Sequence, residues 1–284
     1  VVSLHSDDAN RSRALGRVGA LCGAGFFAGG AVVIGALYFL SPYKIAFVAA
    51  GMEVAAVAVT TLYYPTEPEE IQQEREAIIP FSTWHVLSRP GVIPVLAFKL
   101  LVSASAGSVM FMAQQFAMDP FGFSAQEAAL MTAYLGGLHI LSQSIVPESI
   151  SPRIIFASTA LSVGGSLLGM GLMPATKLVY IIWLAPLALS FHSSLTSLNS
   201  LLTLYAPQEE LGTLLGMSVS TMSASHILAL PMAAHIFKAY QFSAVPLTSC
   251  TVLFAGALLF WGSGCVPREL DTPNEDINEV QSTD

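Results

Sequence analysis

The chain has 284 residues, 54% hydrophobic and only 11% charged, with a mean hydropathy of +0.64. A water-soluble domain carries about 25% charged residues, so composition places the chain in a lipid bilayer and excludes an ordinary soluble enzyme. The net charge of −8 comes mainly from acids after Pro65 and after Pro267, and no basic face exists on which nucleic acid could lie.

The first long apolar stretch is Gly16–Leu40, GRVGALCGAGFFAGGAVVIGALYFL, uncharged from Val18 onward. It is long enough to cross a hydrocarbon core of about 30 Å. Its glycines would each cost about 1 kcal/mol in a soluble helix. In lipid, small residues four apart let helix backbones approach closely, and Gly19/Gly23 and Gly25/Gly29 are two such pairs. The stretch is expected to be a membrane helix packed tightly on others through these glycines.

Seven further hydrophobic segments follow, at roughly 43–64, 91–118, 124–146, 154–174, 178–205, 211–237 and 244–266. Short turns bearing proline or polar residues separate most of them, as in an all-α, polytopic bundle of about eight transmembrane helices. The exception is 65–90, polar and acidic at first, which divides the chain into 1–64 with two helices and 91–266 with six. Residues 267–284 form an acidic tail.

With Arg11, Arg13 and Arg17 placed in the cytoplasm, strict alternation puts seven basic residues inside, against Lys44, Lys177 and Lys238 outside. Both termini are then cytoplasmic by the positive-inside rule. Asn10, in the sole N-x-S/T sequon, lies on that side and is expected to carry no glycan. The chain opens on Val rather than Met, with no signal peptide after it, as expected of a piece lacking its true start.

Ionisable residues inside the spans are few: Glu53, Lys99, His139, His192 and His226. A charge at the bilayer centre costs about 2.5–3.5 kcal/mol on insertion scales, so such groups face a cavity or a partner. Lys99 lies about eight residues into its span, where it either snorkels to the headgroups or faces a cavity. Glu53 lies at a depth from which it could meet Lys99 if their helices touch, or it packs protonated between helices. His192 sits among Ser193, Ser194, Ser197 and Asn199, His139 precedes Gln143 by one turn, and Gln114 and Gln115 add a polar face beyond Lys99. The histidines also admit a plain reading as hydrogen-bonding groups between helices.

The three cysteines lie in apolar runs without CxxC spacing, so no disulfide framework and no metal site is expected. The chain has no HExxH, GxSxG or Walker loop, so neither enzymatic activity nor a cofactor is expected.

Several segments in order carry a resemblance. RALGRVGALCGAGFFAGGAVVIG resembles the entry to the fifth helix of a major facilitator superfamily transporter, LSRPGVIPVLAFKLLVSASAG the entry to its seventh, and EELGTLLGMSVSTMSASHILALPMAAHIF its eleventh. The nearest branch is tetracycline-resistance-like and organic-cation-transporter-like, the solute carrier family 22 member 18 type. The resemblance implies a partial superfamily fold beginning at the fifth of twelve helices, with 1–64 as the end of an N-terminal bundle and 65–90 as the linker between bundles. It places Lys99 on a helix that lines the pathway and His226 where the branch tends to carry arginine. The usual Gly-Pro antiporter pair of the fifth helix is absent, and Glu148 and Arg153 are what remain of a loop motif. The implied function is secondary transport of a small organic solute, cationic or drug-like in this branch, with protons as a candidate coupling ion. The expected partners are the lipid bilayer and the solute. A different reading stays open: a membrane protein that does not transport and serves as a regulatory or scaffold subunit.

Overall fold

The computed structural model describes residues 8–63, 83–143, 151–174, 176–205 and 210–264, and every regular element among them is a helix. In chain order these are α1 (Asp8–Ala36), α2 (Pro42–Tyr63), α3 (Thr83–Leu87), α4 (Val92–Phe111), α5 (Ala113–Met118), α6 (Ala125–Gln143), α7 (Pro152–Leu172), α8 (Lys177–Thr203), α9 (Leu211–Tyr240) and α10 (Ala244–Gly262). Uninterrupted apolar sequence between Pro and Gly turns leaves each backbone group one partner available in lipid, its own helix. The starts are local: Pro42 and Pro152 occupy first turns, where a missing N–H costs nothing, and the Thr176 side chain accepts from the Val179 N–H.

Six of these helices are long and apolar enough to cross a membrane: α1 over Gly19–Ala36, and α4, α7, α8, α9 and α10. The expected eight also counted α2 and α6. In α2 the apolar part is confined to Phe47–Val59, and α6 carries Gln126, Glu127, Thr132, His139 and Gln143 along its length. The segment 91–118, expected as one span, is two helices. Met112, with φ of −88° and ψ of 2°, ends α4, and the Ala113 carbonyl that follows accepts from the buried Tyr180 hydroxyl at 2.8 Å.

Contacts fix the helix directions. Lys99 of α4 meets Ser218 of α9, and eight residues on Gly107 meets His226, so α4 and α9 are parallel. Gly19 faces Gln143 while Gly30 faces Ala133, so α1 and α6 are antiparallel. His139 meets His192 and Gln143 meets Thr196, so α6 and α8 are parallel.

Helix α4 sits centrally and has two different sides. Towards α7 and α10 it is mainly apolar: Phe98 stacks on Phe156 at 4.2 Å and meets Phe260 edge-on at 5.8 Å, with one hydroxyl pair, Ser108 and Ser249 of α10, at 3.4 Å. This layer holds much of the buried core, with Val102, Val163, Leu167 and Leu253 among its members. Towards α8 and α9 it is polar.

Glycine packing follows the expectation in one part and departs from it in another. Helix α1 packs chiefly on α6, and among its residues whose side chains are described the buried positions are Gly23 and Gly30, two turns apart on one face. A Cβ on Gly23 would lie 2.9 Å from the Ile140 backbone nitrogen and 3.0 Å from the Gly136 oxygen, and one on Gly30 would meet the Ala133 backbone. Gly19 closes on the Gln143 amide. Gly25 and Gly29, expected at a helix contact, instead have nothing within 4 Å of where a Cβ would stand. They are 100–200° around the helix from the Gly23/Gly30 stripe, a phase that a four-residue spacing rule does not fix.

This geometry makes a prediction. Gly136→Leu, which would drive a side chain into the Phe27 and Gly23 backbone, is expected to lower the thermal midpoint of detergent-solubilised protein by several degrees, whereas Gly25→Leu leaves it within a degree or two. Equal midpoints for the two variants would contradict the assigned α1–α6 contact.

Candidate functional site

Lys99 is 2% exposed, so its stem does not snorkel into open surroundings. Its ammonium donates to Asn199 Oδ1 on α8 at 2.7 Å and to Ser218 Oγ on α9. Ser218 in turn donates to the same Asn199 oxygen at 2.7 Å. Both acceptors of the cation are neutral. The Glu53 partnership considered from sequence has no counterpart in these contacts, and the Glu53 side chain itself lies outside the described residues.

Asn199 is one end of a stripe. His192, Thr196 and Asn199 stand at i, i+4 and i+7, hence on one face of α8. The His192 ring lies parallel to that of His139 on α6, centroids 3.8 Å apart and planes 6° apart. The Thr196 hydroxyl donates to Gln143 Oε1 on α6 at 3.0 Å. The stripe therefore ties α8 to α6 at two levels and to α4 and α9 at a third. Ser190, Ser193 and Ser197 return their hydroxyls to carbonyls of α8 itself and take no part in it. Buried polar groups in a bundle find partners or face what will partner them, and His139 Nδ1, His226 Nε2 and the Ser103 hydroxyl of α4 are among those that have none.

His226 lies on α9 two turns past Ser218, against α4. Its ring is 4.2 Å from that of Phe111, and its Nε2 occupies the space that the missing Gly107 side chain leaves open. Gln114 stands apart from this group. Its amide bonds Thr132 of α6, and both line a cavity of about 760 Å³ walled by Gly25, Gly29 and Phe26 of α1 and Ile45 of α2. The expected residues thus fall into three places: Lys99, His139, His192 and His226 along one polar stripe, Gln114 in the apolar cavity, and Glu53 on α2. Asn199, Thr196 and Gln143 could have been found from the seven-residue repeat on α8 and its partner on α6. Ser218 carries no signal in a helix rich in serine.

The bundle is fastened at both ends. At one end Arg89, ahead of α4, makes a two-pronged pair with Glu210 at the start of α9, Nε to Oε2 at 2.6 Å and a terminal nitrogen to Oε1 at 2.7 Å. The Glu210 side chain is 1% exposed and Arg89 31%, with His85 Nε2 at 3.6 Å from the same carboxylate. Gly91, at φ +91°, brings the chain against the Tyr205 ring, where no Cβ would fit. At the other end Phe121 stacks on Tyr180 at 4.6 Å and meets Phe242 edge-on at 5.0 Å, with Lys177 4.8 Å above the Phe123 ring.

Hydrogen bonding by Arg89 holds the Glu210 carboxyl below its usual range against the opposing effect of burial, and the charges of Arg89 and His85 act in the same lowering sense. Glu210 in turn raises Arg89. A carboxylate lowered by folding stabilises the fold above its unfolded value, about 4.3, and that contribution disappears as pH falls through the folded value. Glu210→Gln should therefore lower the thermal midpoint at pH 7, by an amount equivalent to about 3 kcal/mol. The loss of stability that the parent shows on acidification below about pH 4 should shrink in the variant. Parallel pH curves for the two proteins would remove the pair from the fold's stabilising interactions.

Comparison with known proteins agrees with this architecture. The sequence model of the Major Facilitator Superfamily matches residues 1–230. Solute carrier family 22 member 18 of Mus musculus is 25% identical over 244 residues, covering 81% of this chain and 59% of that relative. The chain thus spans well under two thirds of the length of the relative it matches. An all-helical bundle with six membrane-length spans, a family match over four fifths of the chain, and a polar stripe between packed helices converge on one assignment: the chain belongs to the Major Facilitator Superfamily.

Proposed function

We propose that this chain supplies the end of one bundle and the whole of the second in an alternating-access secondary transporter of a small organic solute. The observation that carries this reading is the one-sidedness of the polar groups. Lys99, His139, Gln143, His192, Asn199 and His226 all lie on α4, α6, α8 and α9, whereas α7 past Arg153 and the whole of α10 carry no amide, imidazole or charge. Desolvating so many polar groups on one side has a physical purpose if a polar solute passes there.

On this reading 1–64 belongs to the first bundle, 91–266 is the second, and 65–90 is the linker about which the two rock. Both termini are cytoplasmic, which puts the Arg89–Glu210 pair at the cytoplasmic end. Coupling to protons falls to Lys99 and the three in-span histidines, the groups on the stripe that can change charge.

The test is uptake in liposomes by this chain joined to the remaining helices of the first bundle, with a panel of labelled organic cations and carboxylates. Saturable uptake of at least one of them, strongly reduced by Asn199→Ala and by His192→Ala, is the expected result. Absence of saturable uptake for every solute, or uptake unchanged in both variants, would overturn the reading.

A further inference from the structure

The polar stripe has an asymmetry of charge. Among helices α4 to α10 the one acid is Glu127, in the first turn of α6, where it accepts from Lys177 at 3.4 Å. Glu210, which caps α9, is taken by Arg89. The stripe therefore holds one ammonium, three imidazoles and no carboxylate. An organic cation entering it meets no counter-charge, while an anion meets Lys99.

The donors around Lys99 are also incompletely used. Its ammonium has three N–H bonds, of which two go to Asn199 and Ser218. The Asn199 oxygen already receives both Lys99 and Ser218, so its two acceptor positions are filled. Ser103 is four residues beyond Lys99, on the same face of α4; it is fully buried and its hydroxyl has no partner. Four residues further, Gly107 opens space into which the unpartnered His226 Nε2 projects, beside Phe111. One face of α4 thus runs from an ammonium through a free hydroxyl to an imidazole at about 12 Å and an aromatic ring at about 18 Å along the axis.

We propose that the solute recognised on this stripe is an organic carboxylate, its oxygens accepting from the Lys99 ammonium and the Ser103 hydroxyl, with its apolar body lying towards Phe111 and His226. This rests on the reading of the stripe as the solute path and names the class of solute it takes. The physical logic is charge compensation. A buried ammonium held by neutral acceptors keeps much of its desolvation cost, and an arriving carboxylate offsets that cost while forming charge-assisted hydrogen bonds. Asn199 and Ser218 hold the ammonium in place between solutes.

The experiment uses the purified full chain and three matched probes: benzoate, benzamide and benzylammonium, which share a ring and differ in charge. Benzoate should raise the thermal midpoint in a saturable way, and the other two should not. Lys99→Gln should abolish the benzoate shift, Lys99→Arg should retain part of it, and Ser103→Ala should weaken apparent affinity by about 10-fold. Stabilisation by benzylammonium equal to or greater than that by benzoate would overturn the proposal. So would a benzoate shift that survives in Lys99→Gln, or no shift with any of the three probes. Should Lys99→Gln fail to fold, the ranking of probes on the parent and the Ser103→Ala titration decide the question. Saturable uptake of a cation with no benzoate effect would sink this inference and leave the transporter reading standing. Absence of all saturable uptake would sink both.

Discussion

An ammonium ion enclosed among helices, with no carboxylate beside it, sets the terms for the centre of this protein. Moving a charged group out of water costs several kcal/mol unless hydrogen bonds replace its hydration. Three helices therefore have to hold one register: α4 carries Lys99, α8 must present Asn199 and α9 must present Ser218 at the same level. With that level fixed, the rest of the stripe follows from helical geometry. Seven residues along α8 comes His192 against His139, and eight residues along α9 comes His226 against Gly107.

The surroundings keep this polar interior in place in two ways. Behind α4, Phe98 stacked on Phe156, with Phe260 edge-on to Phe98, forms an apolar layer that sets that side apart from the stripe. At the ends, a charged pair and an aromatic cluster fasten the bundle by different chemistry. Arg89–Glu210 depends on protonation state and geometry, whereas Phe121, Tyr180 and Phe242 depend on burial. Helix α1 joins chiefly through close backbone approach: Gly23 and Gly30 bring it against Gly136 and Ala133, and Gly19 lies on the Gln143 amide.

The membrane class, the family and most span boundaries were legible because lipid leaves the backbone little choice: an apolar run between turn residues becomes a helix. Lys99 stood out in the sequence because a cation inside a span is costly wherever it lies. Its partners were harder to see. Asn199 stands in a run of serines, and Ser218 is one small polar residue among several on α9, so nothing local marks the side chain that meets a lysine 119 residues away. The pairing of Arg89 with Glu210 is likewise a matter of tertiary approach over 121 positions. The glycines show a different limit. Spacing identified α1 as a close-packing helix, but which face it turns to α6 depends on the partner, and Gly25 and Gly29 proved to line open space. Among the described residues six helices meet the length and hydropathy expected of a span: α6 spends positions on polar groups such as Gln143, which meets α8, and the apolar part of α2 runs only over Phe47–Val59.

The central claim is that the α4 face bearing Lys99 borders a path open to water and solute, and that the α7–α10 side is solid core. Thiol reactivity measures this directly, since alkylthiosulfonate reagents need a hydrated thiolate. In protein with Cys22 and Cys265 replaced by serine and Cys250 by alanine, a single cysteine would be placed at Ser103 or at Val163, both fully buried. Reaction of Ser103→Cys with a charged, water-soluble thiosulfonate in reconstituted vesicles, with Val163→Cys inert under the same conditions, is the result this account predicts. Equal inertness of the two, or faster reaction at 163, would contradict it.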